Sequence, residues 1–398
     1  MIVTLIGLFT KPLSYFLPIK PKTWIFGADC GNMYREGSKY LLEYMLKNHP
    51  DYQCTFITRN PSVKAELDKK GIPCEMNFSL KGICKVLQAE VVITTQVASD
   101  ILLVYKKSKR RFYYLGHGQP YKAGLLAQSK EYHNSIYRKK VGIKLLWQKI
   151  TSFLNEGYDF TDTCLYSSTS DWLLPFNRKV IGESVDTRVL GMPRNDGLFD
   201  DARMKSEKWL TGVSNKLIIT YMPTHRKYGQ GDVSPIPFVN NTEAQQWMRD
   251  NNVVFVVKQH PNMEAKVNKA LQTDVIIDIS KMKFDPQVVL YHTDVLISDF
   301  SSVWIDFLLL RRPVLFYFYD RFEKDDEGIL YDIREDPPGH YCYTEDELFN
   351  LIKKAVQNYD SMRPSDRIVQ KFHKYVDGNS CERYYKAIIE KQSDVNRK

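Results

Sequence analysis

Along most of the chain, short runs of apolar, β-branched or aromatic residues alternate with longer stretches whose apolar positions recur at helical spacing. A first series of runs comprises TWIFGA (23–28), QCTFIT (53–58), EVVITT (90–95), FYYLG (112–116), TCLYSS (163–168) and RVLGM (188–192). A second comprises KLIITYMP (216–223), VVFVVK (253–258), DVIID (274–278), DVLIS (294–298) and VLFYFY (314–319). Continuous apolar runs of this length predict strands buried on both faces. Their alternation with helices predicts parallel sheets, because parallel neighbours need a crossover connection. Between the series lies PRNDGLFDDARMKSEKWLTGVSNK (193–216), polar and turn-rich enough to hold a domain boundary near residue 200. The expectation is an α/β chain of two doubly wound domains, 1–200 and 201–398, facing each other across a cleft, with the last helices free to pack back on the N-terminal one. TEDELFNLIKKAVQNY (344–359) predicts a helix, with Thr344 as N-cap and Glu347 completing a capping box.

Ligands of doubly wound sheets bind outside the carboxyl ends of the strands, so polar residues directly after strands carry the chemistry. In GHGQPYK (116–122), small residues flank His117, so a ligand can approach the ring closely, and Lys122 follows. The plainer alternative for His117 is a loop hydrogen bond. In YMPTHRK (221–227), Pro223 ends the strand and Thr224, His225, Arg226 and Lys227 cluster as donors suited to phosphate, or else form a solvated loop. In VVKQHP (256–261), a strand delivers Lys258 and then His260, which serves either a site or the core. In SDFSSVWID (298–306), one hydroxyl suffices to cap a helix beginning near Ser302. The surplus of Asp299, Ser301 and Ser302, with Asp306 inside an apolar face, predicts a phosphate site where backbone N–H groups, the helix dipole and hydroxyls converge.

Composition narrows the partner. The formal net charge of +9 over 398 residues calls for a negatively charged partner: nucleic acid, anionic membrane or phosphorylated substrate. Nucleic acid is disfavoured, since no aromatic–basic RNA-binding pattern, zinc spacing or recognition helix is present. No Walker loop, Gly-x-Gly-x-x-Gly, Gly-x-Ser-x-Gly elbow or metal-ligand spacing appears, so no cofactor or metal is assigned. Seven cysteines without a Cys-x-x-Cys pair point to a reduced, cytoplasmic chain. MIVTLIGLFTKPLSYFLPIKPK (1–22) lacks the basic start and cleavage site of a signal peptide, and Lys11 and Pro12 interrupt it. It falls short of the about 20 apolar residues a membrane span needs, which leaves an interfacial anchor or an element packed on the core. YRKKVGIKLLWQKITSFL (137–154) is basic and amphipathic, suited to an anionic membrane surface or to packing on its own domain, and KKSKRR (106–111) adds to the same patch or is a soluble loop.

Taken together, the motifs HGQPYK (117–122), GMPRND (191–196), PTHR (223–226), HP (260–261) and SDFSSVWID (298–306), with GSKYLLEYM (37–45) as an early helix, resemble in kind and order the CDP-glycerol glycerophosphotransferases of teichoic acid and capsule-polymer synthesis. The resemblance covers nearly the whole chain. It departs at Gly116, where the family has tryptophan, at Gln119 for threonine and at Phe300 for tyrosine. It implies a GT-B-like fold with a C-terminal donor domain and an N-terminal acceptor and membrane-facing domain. It also implies transfer of glycerol phosphate or another polyol phosphate from CDP-glycerol or CDP-ribitol to a hydroxyl of an undecaprenyl-diphosphate-linked saccharide or growing polymer, with release of CMP. His117 is then the general base and His260 a second catalytic group. Thr224, Arg226, Lys258, Asp299, Ser301, Ser302, Asp306 and Arg194 form the donor site, and Lys122 and Gln119 lie on the acceptor side. The implied location is cytoplasmic and peripheral, on the inner face of a bacterial plasma membrane. The rival expectation is a GT-B glycosyltransferase that uses a nucleotide sugar.

Overall fold

The computed structural model describes residues 2–96, 98–105, 109–121, 162–213, 215–224, 236–259, 273–319 and 329–396. The chain divides into two compact units, one of Met1–Gln119, Gly124–Asp196 and Asp377–Lys398, the other of Pro120–Ala123 and Gly197–Val376.

In the first unit, strands β1 (Lys20–Phe26), β2 (Gln53–Thr58), β3 (Cys74–Met76), β4 (Ala89–Thr94) and β5 (Arg111–Tyr114) form a parallel sheet in the order β3-β2-β1-β4-β5. Trp24, Ile25, Phe26, Val91, Val92 and Ile93 are fully buried, as helices on both faces of a parallel sheet require. β6 (Tyr166–Ser168) and β7 (Thr187–Val189) make a separate parallel pair. Helix α1 (Ile2–Phe16) precedes the sheet, α2 (Glu36–Asn48) follows β1, α3 (Pro61–Lys69) follows β2 and α4 (Leu80–Gln88) follows β3. The starts of α3 and α4 are set by the Asn60 and Ser79 side chains, which accept from Ser62 N and Gly82 N. The closing helix Ser380–Asn396 joins this unit through Asp196, whose carboxylate accepts from Ser380 N (2.8 Å) and Cys381 N (2.7 Å).

In the second unit, β8 (Leu217–Tyr221), β9 (Val253–Val257), β10 (Ile276–Asp278), β11 (Val295–Ser298), β12 (Val314–Tyr317) and β13 (His340–Cys342) form a parallel sheet ordered β10-β9-β8-β11-β12-β13. Alternate residues of β9 feed opposite cores: Val253, Phe255 and Val257 face one cluster, Val254 and Val256 the other. Each such side chain contributes about 1.5–3 kcal/mol by leaving water.

In both sheets the chain passes from the middle strand first to one side and then to the other. This creates a switch point, between β1 and β4 in the first unit and between β8 and β11 in the second, where α/β sheets take ligands. Every strand expected from the apolar runs is present. The two that the pattern missed, β3 and β13, are three-residue edge strands too short to show a period.

Candidate active site

The first unit builds its polar cluster on the loop leaving β5. Leu115 N still pairs with Thr94 O at 2.8 Å, and the chain then turns at Gly116 with φ +80°. A Cβ there would lie 2.8 Å from the Tyr166 hydroxyl, so glycine is demanded by both conformation and space, which accounts for the departure from tryptophan. The turn leaves the His117 side chain 52% exposed, with Nδ1 3.1 Å from Glu36 Oε1. Glu36 opens α2 and is itself 1% exposed. Its other oxygen receives Arg194 Nη1 at 2.7 Å, and the same nitrogen donates to the His117 carbonyl at 2.5 Å. Burial by itself would push the Glu36 carboxyl up, but the charges of His117, Arg194 and Arg35 outweigh it and hold the group well below the usual carboxylate range. The carboxylate is therefore ionised at neutral pH, with an imidazole and a guanidinium as its partners.

Arg194, expected among the donor-phosphate ligands, thus sits beside His117 in the first unit. Gln119, expected to touch the acceptor, is buried. Its Nε2 donates to Ser167 O (3.2 Å), and its Oε1 accepts from Asn177 Nδ2 (2.8 Å) and Thr169 N (3.3 Å). It fastens the His117 loop to the strand pair β6–β7 and turns both polar atoms inward. Glu36 is the residue that motif reading passed over; the one local sign of it is its place just ahead of the GSKYLLEYM helix.

The second unit builds its cluster on the loops leaving the adjacent strands β8 and β11. Asp299 is fully buried, and its Oδ1 accepts from Thr224 N (2.8 Å) and Ser301 N (3.2 Å), binding the two loops into one frame. Ser298 Oγ adds a bond to Met222 O at 3.2 Å. Within that frame Thr224 Oγ1 is buried and, among the described residues, without a hydrogen-bond partner. Ser301 Oγ accepts from Val303 N at 3.4 Å. Ser302 occupies the N-cap position of the helix Val303–Phe307, yet its side chain makes no capping bond. Of the surplus read from the sequence, Asp299 and Ser301 serve the loops' own backbone; among the described residues Ser302 makes no capping bond, and Thr224 on the neighbouring loop has a hydroxyl without a partner. At the end of the neighbouring β9, Lys258 Nζ donates to the carbonyls of Ser280 and Met282, both at 3.3 Å. Gln259, 2% exposed, has a side-chain amide without a hydrogen-bond partner among the described residues.

The two acidic residues expected at the donor site face inward. Asp299 ties the loops, and Asp306 is buried and accepts from Gln287 Nε2 at 3.3 Å. Both are placed to hold backbone and neighbouring side chains. Lys122, Arg226 and His260 lie outside the described residues, as do 137–154 and the first half of KKSKRR. Among the described residues, no group of His, Cys, Asp and Glu is arranged to hold a metal ion.

The chain is similar to proteins of teichoic acid synthesis. The chain is 27% identical over 388 residues to the teichoic acid glycerol-phosphate primase of Bacillus subtilis (strain 168), covering 94% of each chain. It is 27% identical over 350 residues to the teichoic acid poly(glycerol phosphate) polymerase of the same strain, covering 85% of this chain and 44% of the polymerase. Among solved structures, the wall teichoic acid polymerase TagF superposes with a TM-score of 0.71 at 22% identity, covering 99% of this chain and 93% of that one. The UDP-GlcNAc 2-epimerase of Neisseria meningitidis superposes at 0.53 with 12% identity, covering 92% of this chain and 99% of that one. These likenesses establish a GT-B-like fold. The family profile described as CDP-glycerol:poly(glycerophosphate) glycerophosphotransferase matches residues 9–390, and the chain belongs to that family of phosphotransferases.

Proposed function

We propose that this enzyme transfers glycerol phosphate, or a related polyol phosphate, from a CDP-linked donor to a hydroxyl of a lipid-linked saccharide or growing polymer, releasing CMP. The observation that carries this reading is the half-exposed His117 imidazole backed by a buried, ionised carboxylate at the carboxyl edge of a doubly wound sheet. In the proposed step the acceptor oxygen forms a bond to the glycerol-side phosphorus, while the bond from that phosphorus to the bridging oxygen breaks and leaves its electron pair on CMP. The acceptor proton passes to His117. Phosphoryl transfer asks the protein mainly to align reactants and to stabilise spreading negative charge. The Thr224 and Ser302 hydroxyls supply donors free of structural duty, with Ser301 beside them. Arg226, from the same motif as Thr224, and His260, from the separate HP motif (260–261), complete the donor set in this reading.

The partner side of the proposal is an anionic bilayer. Helix α1 is inside out: Thr10, Lys11 and Ser14 are buried, whereas Leu5, Leu8, Leu13, Phe9 (78% exposed) and Phe16 (84%) face outward. Thr10 is held inward by the Tyr105 hydroxyl at 2.8 Å. Residues 1–28 carry three lysines and no acidic residue, and α4, which packs on α1, carries Lys81 and Lys85 and likewise no acid. Lys22 is paired with Asp51 at 2.5 Å, and an apolar ridge flanked by the remaining lysines fits the interface of an anionic membrane. No helix among the described residues is long and apolar enough to cross a membrane, and the reading places the protein on one face of the bilayer. A CDP-activated donor makes that the cytoplasmic face.

The deciding experiment incubates the purified protein with CDP-glycerol, CDP-ribitol or a nucleotide sugar, with and without a lipid-linked disaccharide, and measures CMP and product mass. Acceptor-dependent CMP release from a CDP-polyol is expected, and His117→Ala should lower turnover by about 10²–10⁴-fold. Sugar incorporation without CMP release would overturn the reading in favour of a glycosyltransferase.

A further inference from the structure

We infer that Glu36 is a positioning residue of the transfer reaction: its carboxylate holds the His117 ring in the tautomer protonated at Nδ1 and leaves Nε2 to take the acceptor's proton. The inference rests on His117 being the base.

The contact itself is specific. Glu36 Oε1 is buried without a directed hydrogen bond, and His117 Nδ1 lies within reach of it at 3.1 Å. A buried carboxylate oxygen left without a donor is costly, and a neutral imidazole satisfies it only by presenting N–H at Nδ1. In the free side chain the Nδ1-protonated form is the less populated tautomer, so the carboxylate has a definite task.

The surroundings hold Glu36 for that task. Its backbone sits at φ +63°, a left-handed conformation that a non-glycine residue keeps only where neighbouring structure enforces it, and such residues gather at functional sites. Arg194 fixes the side chain by bonding both Glu36 Oε2 and the carbonyl of His117, so one guanidinium ties the carboxylate to the His117 loop.

The charged and titratable groups facing the pair are few. Arg35 precedes Glu36 and is itself paired with Asp29 at 3.0 Å. From the sheet side, Tyr114 and Tyr166 have phenols that burial pushes up and keeps neutral. The polar competitor is Gln96, whose Nε2 lies 3.5 Å from His117 Nδ1 and can donate there only if Nδ1 carries no proton. The carboxylate is nearer and charged, and it prevails.

The tautomer of His117 is measurable by nitrogen-15 chemical shifts of the wild-type protein, without substrate, at a pH where the ring is neutral. A protonated Nδ1 is expected; a bare Nδ1, with Gln96 as its donor, would overturn the inference. In Glu36→Gln the tautomer preference should be lost and turnover should fall about 10²–10³-fold, with the KM for CDP-glycerol within about twofold of wild type. Glu36→Asp, which keeps the charge, should recover part of that loss. Equal damage by both substitutions, with the tautomer unchanged, would reduce Glu36 to a structural residue and sink the proposal. Full turnover by His117→Ala would remove the base from the mechanism yet leave the tautomer measurement standing, so the two failures are read separately.

Discussion

At the scale of single residues, the side chains that matter here are those whose polar atoms the fold has not used and those it has used against expectation. Thr224 and Ser302 keep hydroxyls to spare, whereas Gln119, Asp299 and Asp306 are spent inside the protein. No spacing rule separates the two groups, because after a strand ends nothing local dictates whether the next side chain turns inward or outward. Glu36 also has a consequence for stability. Its carboxyl titrates near 4.5 in the unfolded chain and well below that in the folded one. The unfolded state therefore binds a proton that the folded state refuses as the pH drops below about 4.5, and this contribution to stability, fully present above that value, is lost progressively on acidification. Urea midpoints taken from pH 7 down to pH 3 should fall more steeply for the wild type than for Glu36→Gln. Parallel slopes would show that the ion pairs around Glu36 do not survive in solution.

At the scale of elements, periodic pattern was a sound guide wherever an element was long. The helix Glu345–Gln357 starts as read, with Thr344 Oγ1 accepting from Glu347 N at 3.2 Å and Glu347 Oε2 accepting from Thr344 N at 3.3 Å. The helix after β11 is different, since Val303–Phe307 makes little more than one turn before tightening into the 3₁₀ turn Leu308–Leu310. So short a helix brings a weak dipole, which throws the work of holding a diphosphate onto the loop's own donors. Ser302→Ala tests this. The hydroxyl caps nothing, so the unfolding free energy should stay within about 0.5 kcal/mol of wild type and the thermal midpoint should barely move, while loss of a hydrogen bond to a charged phosphate should raise the KM for CDP-glycerol about tenfold. A lowered midpoint with an unchanged KM would assign the serine to the fold.

At the scale of the whole molecule, the outward face of α1 is the feature most at odds with life in water alone. Flotation with vesicles of mixed zwitterionic and anionic lipid should carry the wild-type protein, and Phe9→Glu with Phe16→Glu should weaken binding by about tenfold or more, since each exposed aromatic contributes on the order of 1.5–3 kcal/mol when it leaves water. Both positions are exposed, so the substitutions spare the core. Self-association through α1, seen as a concentration-dependent mass that the same substitutions abolish, would assign the face to a second copy instead. Much of this protein was determined by its sequence alone: two parallel sheets, the order of their strands along the chain, and the motifs at the strand ends. Those follow from apolar periodicity, a local property that survives in a one-dimensional reading. Only the tertiary structure decided which polar residues meet. Glu36, His117 and Arg194 leave three separate strands, and their meeting depends on sheet order and on one left-handed backbone angle. Asp299 similarly reaches Thr224 because β8 and β11 are neighbours in space though far apart in the chain, and such juxtaposition is set by how crossovers wind a sheet, which spacing along the chain does not record.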